Sequence, residues 1–573
     1  MCGITGYRGE ADAAENVLEG LERLEYRGYD SSGIIAAGAD GFDLVKQPTT
    51  VDQLRADHDI PSGGTVAIGH TRWATHGGVT QANAHPHTCG RIAVVHNGIV
   101  ENYEQIRADL DGHEFTSETD SEVIAHFLAD RLEEGASPEA AMEAFLDQAE
   151  GAMAVVAVDR ETGQLYGFRR GSPLVVGVDD GGWFLCSDAN AFAQHTREAV
   201  FLADEEYVII GDRPRFYRAG SGQVEKEAVE LGEAQLEEGK QGYEHYMLKE
   251  IEEQPEVLRR LDNSLETSQQ DALDDLARLV AENEKVIFTA AGTSYHASLL
   301  GVYYLQKAGV EAQTLIASEF QNYERVDEDT LVVAVSQSGE TRDTLDAIEY
   351  SREAGADIAA VVNVPHSTIE RTSDVALHVE AGREKCVAAT KTFTATVLAL
   401  LRVAEALGYE TDIDAAAEKV RTTITQNHEE VKRLARELAA EDDMYIIGRG
   451  ETYPVAREIA LKLKEIPYVH AEGMMGGELK HGTLALIEEG TPVFALVPGA
   501  DDEIMSNVSE IEARGGDVVP ISPENGVFDI PNGSDAYPIV ATTIGFLLAY
   551  ELGRARDCPI DKPRNLAKTV TVR

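Results

Sequence analysis

The sequence predicts an α+β layered domain followed by two α/β domains built on parallel sheets. Three observations carry that prediction. At 573 residues the chain exceeds what one core can hold, and roughly 100–200 residues per domain gives about three or four. Up to about Arg218 it reads as short β-like runs with a few helical stretches between them. Beyond that point strand, glycine loop and helix alternate, and they do so twice.

In the first region the runs Thr65-Val66-Ala67-Ile68, Ile92-Ala93-Val94-Val95 and Ala154-Val155-Val156-Ala157-Val158 are rich in the residues that suit pleated, buried surfaces. A Gly-, Glu- and Gln-rich stretch from about Ala219 to Gly242 reads as a linker. Val286-Ile287-Phe288 then leads into Gly292-Thr293-Ser294-Tyr295, and Tyr445-Ile446-Ile447 into Gly450-Glu451-Thr452-Tyr453. This internal repeat predicts parallel βαβ domains, which bind ligands at the carboxyl ends of their strands. The expected boundaries are 2–218, a linker with entry helices over 219–274, repeat domains over 275–415 and 435–563, and a tail over 564–573.

Composition narrows the function. With 43% hydrophobic and 26% charged residues the chain fits a globular protein, and it has no apolar run near the ~20 residues of a membrane helix. The expected compartment is the cytoplasm. Five scattered cysteines, Cys2, Cys89, Cys186, Cys386 and Cys558, argue against a disulfide framework. No CxxC pair occurs, and His85-Pro86-His87 near Cys89 lacks a second spaced pair, so neither metal nor cofactor is expected. The 101 acidic residues against 49 basic ones give a formal charge of −52, which repels nucleic acid and anionic membranes. A solvated acidic coat of this size suits a high-salt cytosol.

Cys2 is the leading candidate nucleophile. Loss of Met1 would put its thiol and a free α-amino group on one residue, and such an amine titrates near ~7.7–8.0 and can take the thiol proton. A cysteine at this position is otherwise an ordinary residue. Further on, Arg72 offers a guanidinium fork suited to an α-carboxylate, and Asp120 a carboxylate suited to an α-amino group. Asn97-Gly98, after a strand, could supply donors to an oxyanion or could simply be a turn.

Taken together, Cys2-Gly3-Ile4, Tyr26-Arg27-Gly28-Tyr29-Asp30-Ser31, His70-Thr71-Arg72-Trp73-Ala74-Thr75-His76-Gly77, His96-Asn97-Gly98-Ile99 and Thr119-Asp120 resemble the ordered motifs of class II glutamine amidotransferases. The resemblance implies an N-terminal-nucleophile glutaminase domain with α/β/β/α layers. In it Cys2 attacks the glutamine amide and Asn97 with Gly98 forms the oxyanion hole. Arg72, Trp73, Thr75, His76 and Asp120 bind glutamine, with Trp73 resembling the residue that gates ammonia passage.

The second half carries a different chemistry. Leu331-Val332-Val333-Ala334-Val335 runs into Ser336-Gln337-Ser338-Gly339-Glu340-Thr341 and then a helical segment, so hydroxyls and unpaired N–H groups meet at a helix N-terminus. Such a loop serves as an N-cap as readily as a phosphate cradle. Glu458, Lys462 and Glu465 fall at i, i+4 and i+7 of a helical stretch, either as a solvated ion-pair row or as a functional face. His481 lies among glycines, and Lys568 lies in the tail, where an amine could reach a carbonyl.

The Ser336–Thr341 and Gly292–Ser294 loops resemble those of the sugar isomerase (SIS) fold, and the whole chain resembles the isomerizing glutamine:fructose-6-phosphate amidotransferases. That resemblance implies two SIS domains in which Thr293, Ser294, Ser336, Gln337, Ser338 and Thr341 hold the sugar phosphate. His481 would open the sugar ring from a neighbouring subunit, and Lys568 would form a Schiff base with the ketone. Glu465 would move the proton between carbons 1 and 2, Lys462 would assist it, and Glu458 would position the tail. L-Glutamine and fructose 6-phosphate would give glutamate and glucosamine 6-phosphate in a homodimer without a cofactor. Ala291 and Ala389 stand where many relatives carry cysteine and serine, which removes a side-chain hydroxyl at 389. Two other readings are another class II amidotransferase, which would need a pyrophosphate or ATP loop, and a sugar-phosphate-binding regulator, which would have no use for Glu465, His481 and Lys568.

Overall fold

The computed structural model describes residues 2–38, 41–74, 77–110, 112–179, 181–231, 239–323, 325–413, 415–524, 526–531 and 535–570. Its contacts divide the chain into two units, Met1–Glu237 together with Ala567–Arg573, and Glu238–Leu566.

The N-terminal unit is built on two antiparallel sheets. The eight-stranded sheet has Gly3–Gly9 at its centre, hydrogen-bonded on one side to Gly182–Cys186 and on the other to Val66–Arg72, which pairs in turn with Ser31–Gly38. The seven-stranded sheet runs from Gly222–Val224 through Met153–Asp159 and Ile92–Gly98 to the edge strand His87–Cys89. Alternation along the strands sorts their side chains between two faces. Ile4, Ile68, Val95 and Val156 meet in one core shared by both sheets. Tyr7 points outward, into a core with the helix Ala13–Leu24, and Val94 points into another with Glu122–Glu133 and Pro138–Gln148. Helices therefore cover the outer face of each sheet. Asp12 starts the first helix by accepting from the N–H groups of Ala14 and Glu15.

The stretch read as a linker from residue 219 is corrected at its start. Gly222–Val224 and Val229–Glu230 each add an edge strand to a sheet. Their shortness, three and two residues, masked the pairing, because an edge strand needs a partner's backbone more than apolar side chains.

The C-terminal unit holds the two parallel sheets that the repeat predicts. Lys285–Ala290, Thr330–Ser336, Asp357–Val362 and Val375–His378 belong to a five-stranded sheet, with Ala312–Ile316 on its other edge. Asp443–Gly448 lies between His470–Met475 and Pro492–Leu496 in the four-stranded sheet, which Asp517–Ile521 completes. Leu300, Phe393, Ile459 and Phe546, from four helices, share one core between the repeats. Among the described residues no helix is long and apolar enough to cross a membrane.

Candidate functional site

In the N-terminal unit, strand register brings the predicted groups together. Gly3 pairs with Thr71, so Cys2 sits beside Arg72 and Trp73. The Trp73 N–H donates to Cys2 Sγ at 3.2 Å, and Sγ lies 3.5 Å from Trp73 O. Burial pushes the thiol up, while the Trp73 N–H and Arg72 pull it down without cancelling that effect. Across the gap between the sheets, Asn97 at the end of its strand donates through Nδ2 to Cys2 O at 3.0 Å. Gly98 follows with φ +125°, and a Cβ there would lie 2.0 Å from Ala152 O, so only glycine fits.

Cys2, Arg72, Trp73, Gly98 and Asp120 line one cavity with His85 and His96. Arg72 is buried and donates to Gly78 O at 3.2 Å. Asp120 Oδ2 accepts from the Val100 N–H at 2.7 Å. The cavity holds ≈ 20 Å³, room for about one water. Thr75 and His76 lie outside the described residues. The Trp73 indole packs edge-on against Tyr29, with ring centroids 5.6 Å apart.

Sequence reasoning missed His70. Its Nε2 lies 3.0 Å from both Asn97 Oδ1 and His96 O. Two acceptors require Nε2 to carry the proton, which fixes the direction of the Asn97 amide. Burial holds His70 down at about 3, so the ring is neutral. The signal was the i, i+2 spacing of His70 and Arg72 on one strand, which puts both on one face.

In the C-terminal unit the Glu458–Lys462–Glu465 row is not a solvated one. Glu458 and Lys462 side chains are 0% exposed. Lys462 Nζ is 3.4 Å from Glu458, pairs closely with Glu465, and donates to Thr293 Oγ1 at 3.1 Å. Thr293 Oγ1 donates to Glu458 at 3.0 Å, and His296 Nδ1 donates to its other oxygen at 2.8 Å. Burial drives Glu458 up, but Lys462, His296 and Thr293 outweigh it and hold the carboxyl below its usual range. Burial likewise pulls Lys462 down, and Glu458 and Glu465 more than reverse it. Helix Gly292–Lys307 of the first repeat thus meets helix Thr452–Glu465 of the second through these charges.

The serine loop keeps its hydroxyls on itself. Ser336 Oγ accepts from the Gly339 N–H at 3.0 Å and lies 3.1 Å from Thr341 Oγ1, and Ser338 Oγ accepts from the Glu340 N–H at 3.1 Å. Neither Thr341 nor Ala291 makes a side-chain cap to the helix that it precedes. Both helix N-termini keep donors for an anion. Ser294, in the first turn of Gly292–Lys307, and Gln337, in the serine loop, are half-buried. Glu384, also missed, accepts from the N–H groups of Thr390 and Thr392 at 2.9 and 3.2 Å. Its segment gave no periodic pattern to betray it. His481 is exposed at the end of Gly476–His481. Lys568 is half-buried and lies in the segment that groups with the N-terminal unit, not with the Gly292 and Ser336 segments.

Comparison with known proteins adds names to this geometry. Residues 70–194 match the family model of a glutamine amidotransferase domain, and 279–406 and 437–528 match that of the SIS domain. The chain is 41% identical over 625 aligned residues to the glutamine–fructose-6-phosphate aminotransferase (isomerizing) of Streptomyces coelicolor, covering 100% of both. It is also 41% identical over 609 residues to the enzyme of that name from Thermococcus kodakarensis, again with 100% of both covered. Among solved structures, the C-terminal domain of glucosamine-fructose-6-phosphate aminotransferase from Francisella tularensis is 35% identical with a TM-score of 0.51, covering 57% of this chain and 100% of that domain.

Proposed function

The chain belongs to the family of the isomerizing glutamine–fructose-6-phosphate aminotransferases, and from that premise we propose that it converts fructose 6-phosphate and L-glutamine to glucosamine 6-phosphate and L-glutamate. In this reading the N-terminal unit is an N-terminal-nucleophile glutaminase. Cys2, freed of Met1, attacks the glutamine amide carbon, and its own α-amino group takes the thiol proton. Asn97 has a second Nδ2 hydrogen beyond the one given to Cys2 O, and with the Gly98 N–H it stabilises the oxyanion. Arg72 takes the substrate's α-carboxylate and Asp120 its α-amino group. The cavity holds about one water, so it widens to admit glutamine. The thioester is hydrolysed, and ammonia passes internally, because in water at neutral pH it would be protonated and lose its nucleophilicity.

In the C-terminal unit, the open helix N-termini at Ala291 and Thr341 support phosphate binding by Thr293, Ser294, Ser336, Gln337, Ser338 and Thr341. Glu465 moves the proton between carbons 1 and 2, and Lys568, from the chain's C-terminal tail, forms a Schiff base with the open ketose. Lys462, locked between two carboxylates, orients Glu465, and Glu458 anchors that lysine. The exposure of His481 supports its service to a neighbouring subunit, hence a homodimer. The charge of −52 supports a cytoplasm of high salt.

The observation that carries this reading is the convergence of Cys2, Arg72, Gly98 and Asp120 on one cavity. The test is to mix the protein with both substrates in high salt and to measure glutamate and hexosamine phosphate. Production of both supports it. Glutamate without amino sugar, or neither product, overturns it.

A further inference from the structure

Away from the glutaminase cavity, the N-terminal unit gathers a thiol and two imidazoles that the proposed reaction leaves unused. Cys89 ends the edge strand His87–Cys89, His113 follows the helix Tyr103–Asp109, and His126 lies on the helix Glu122–Glu133. Cys89 Sγ is 3.8 Å from His113 Nδ1, which is 2.6 Å from His126 Nδ1. One donor atom from each residue lies within 4.8 Å of the other two. Tetrahedral zinc, at ~2.3 Å from sulfur and ~2.0–2.1 Å from nitrogen, sets S···N edges of roughly 3.6 Å and N···N edges of roughly 3.3 Å. To reach that geometry the two rings must open apart and the widest separation, within 4.8 Å, must close.

The second nitrogens of the two rings decide what the first ones can do. His113 Nε2 lies 2.8 Å from Asp130 Oδ1, a pure acceptor when ionised, so Nε2 carries the proton and Nδ1 presents a lone pair. His126 Nε2 faces Glu122 Oε1 at 3.7 Å and has no hydrogen-bond partner. Glu122 accepts from the backbone N–H groups and hydroxyls of Thr116 and Ser117, which keeps it an anion. A proton on His126 Nε2 is favoured by that carboxylate, and it leaves a second bare Nδ1 beside the first. Two lone pairs at this distance repel unless a cation lies between them. A shared proton would satisfy the nitrogens, but it would give no role to the sulfur aimed at the same point.

The surroundings suit a divalent ion. Glu122, His126, Asp130 and Glu133 fall at i, i+4, i+8 and i+11 of one helix, so three carboxylates border the thiol and imidazoles. Asp130 and Glu122 each stand behind one histidine, the arrangement that orients imidazole ligands in metal sites. One thiolate with two imidazoles is a borderline-soft set, which selects zinc over magnesium or calcium. The sequence reading set Cys89 beside His85-Pro86-His87 and not beside these two histidines, which lie 24 and 37 positions away, as 113 − 89 and 126 − 89 show.

We propose that Cys89, His113 and His126 form a zinc site, with water as the fourth ligand, that ties the edge strand His87–Cys89 to the helix Glu122–Glu133. Binding releases the thiol proton to solvent, leaves both histidines neutral and involves no redox change. Cys89 and His113 are half-buried, which gives the ion a way in and the water a place.

The test uses the full-length chain, stripped by a chelator and titrated with Co²⁺ in place of zinc. The Cys2→Ala background removes the glutaminase thiol, and the wild-type chain is run beside it as a folded reference. The expected result is a near-ultraviolet thiolate-to-cobalt band with tetrahedral visible bands, saturating at one cobalt per chain and bleached by Zn²⁺. Adding Cys89→Ser abolishes the near-ultraviolet band with an unchanged far-ultraviolet circular dichroism spectrum, and Zn²⁺ then no longer raises the melting temperature. Absence of the band, or its persistence after Cys89→Ser, overturns the proposal.

Discussion

The backbone of Trp73 holds the sulfur of Cys2 from two sides, its N–H donating at 3.2 Å and its carbonyl lying 3.5 Å away. Burial nonetheless leaves the thiol harder to ionise than a free cysteine. Cys2 therefore rests as a thiol, and an attack by it would need a base. Cys2→Ala is expected to lower glutamate release by more than about 10³-fold while sugar-phosphate isomerisation stays measurable. Coupled assays of the two activities check this, and their joint loss would sink the two-site reading. The N-terminal mass of active protein should correspond to a chain that starts at Cys2.

Asn97 is held by two partners, His70 on its oxygen and Cys2 O on its nitrogen. Asn97→Ala is expected to reduce glutaminase kcat by about 10²–10³-fold. KM for glutamine should change far less, because the oxyanion exists only past the ground state. A dominant rise in KM would instead make Asn97 a substrate-binding residue.

The buried charges of the C-terminal unit separate stability from chemistry. Lys462→Met leaves Glu458 without its ammonium and is expected to cost about 3–5 kcal/mol in urea unfolding. Glu465→Gln, at a side chain 18% exposed, should cost far less stability yet abolish isomerisation. Glu458 has its folded pKa below its ordinary value. Its contribution is thus present above about pH 4.3 and lost as pH falls through the lower, folded pKa. Equal stability losses for Lys462→Met and Glu465→Gln would contradict this division.

Glu451 behaves in the opposite sense. Burial, then Asp535, pushes its carboxyl up to about 7 against the pull of Lys307. The folded state therefore keeps a proton that the unfolded chain gives up near its ordinary pKa of about 4.3, and stability falls as pH rises from there to about 7. Glu451→Gln keeps the group neutral, so it should raise the melting temperature at pH 8 and change it little at pH 4. Thermal scans at the two pH values decide it, and an equal shift at both would rule out the ionisation as the cause.

Residue order and periodicity were enough to announce both halves of this protein. The place of Cys2 after Met1 and the ordered motifs around Arg72 and Asn97 led to the first site, and the repeated strand–glycine–helix units led to the parallel sheets, because local patterning encodes which face of an element is buried. Three things required the folded chain. The hold of His70 on Asn97 became visible only when the two strands were laid together, and Glu458 with Lys462 proved fully buried only when the helices of the two repeats met. The pairing of Cys89 with His113 and His126 likewise exists only across a strand, a loop and a helix. Spacing along a chain reports contacts within one element, whereas ion pairs and ligand clusters between elements depend on register and packing that no local pattern records.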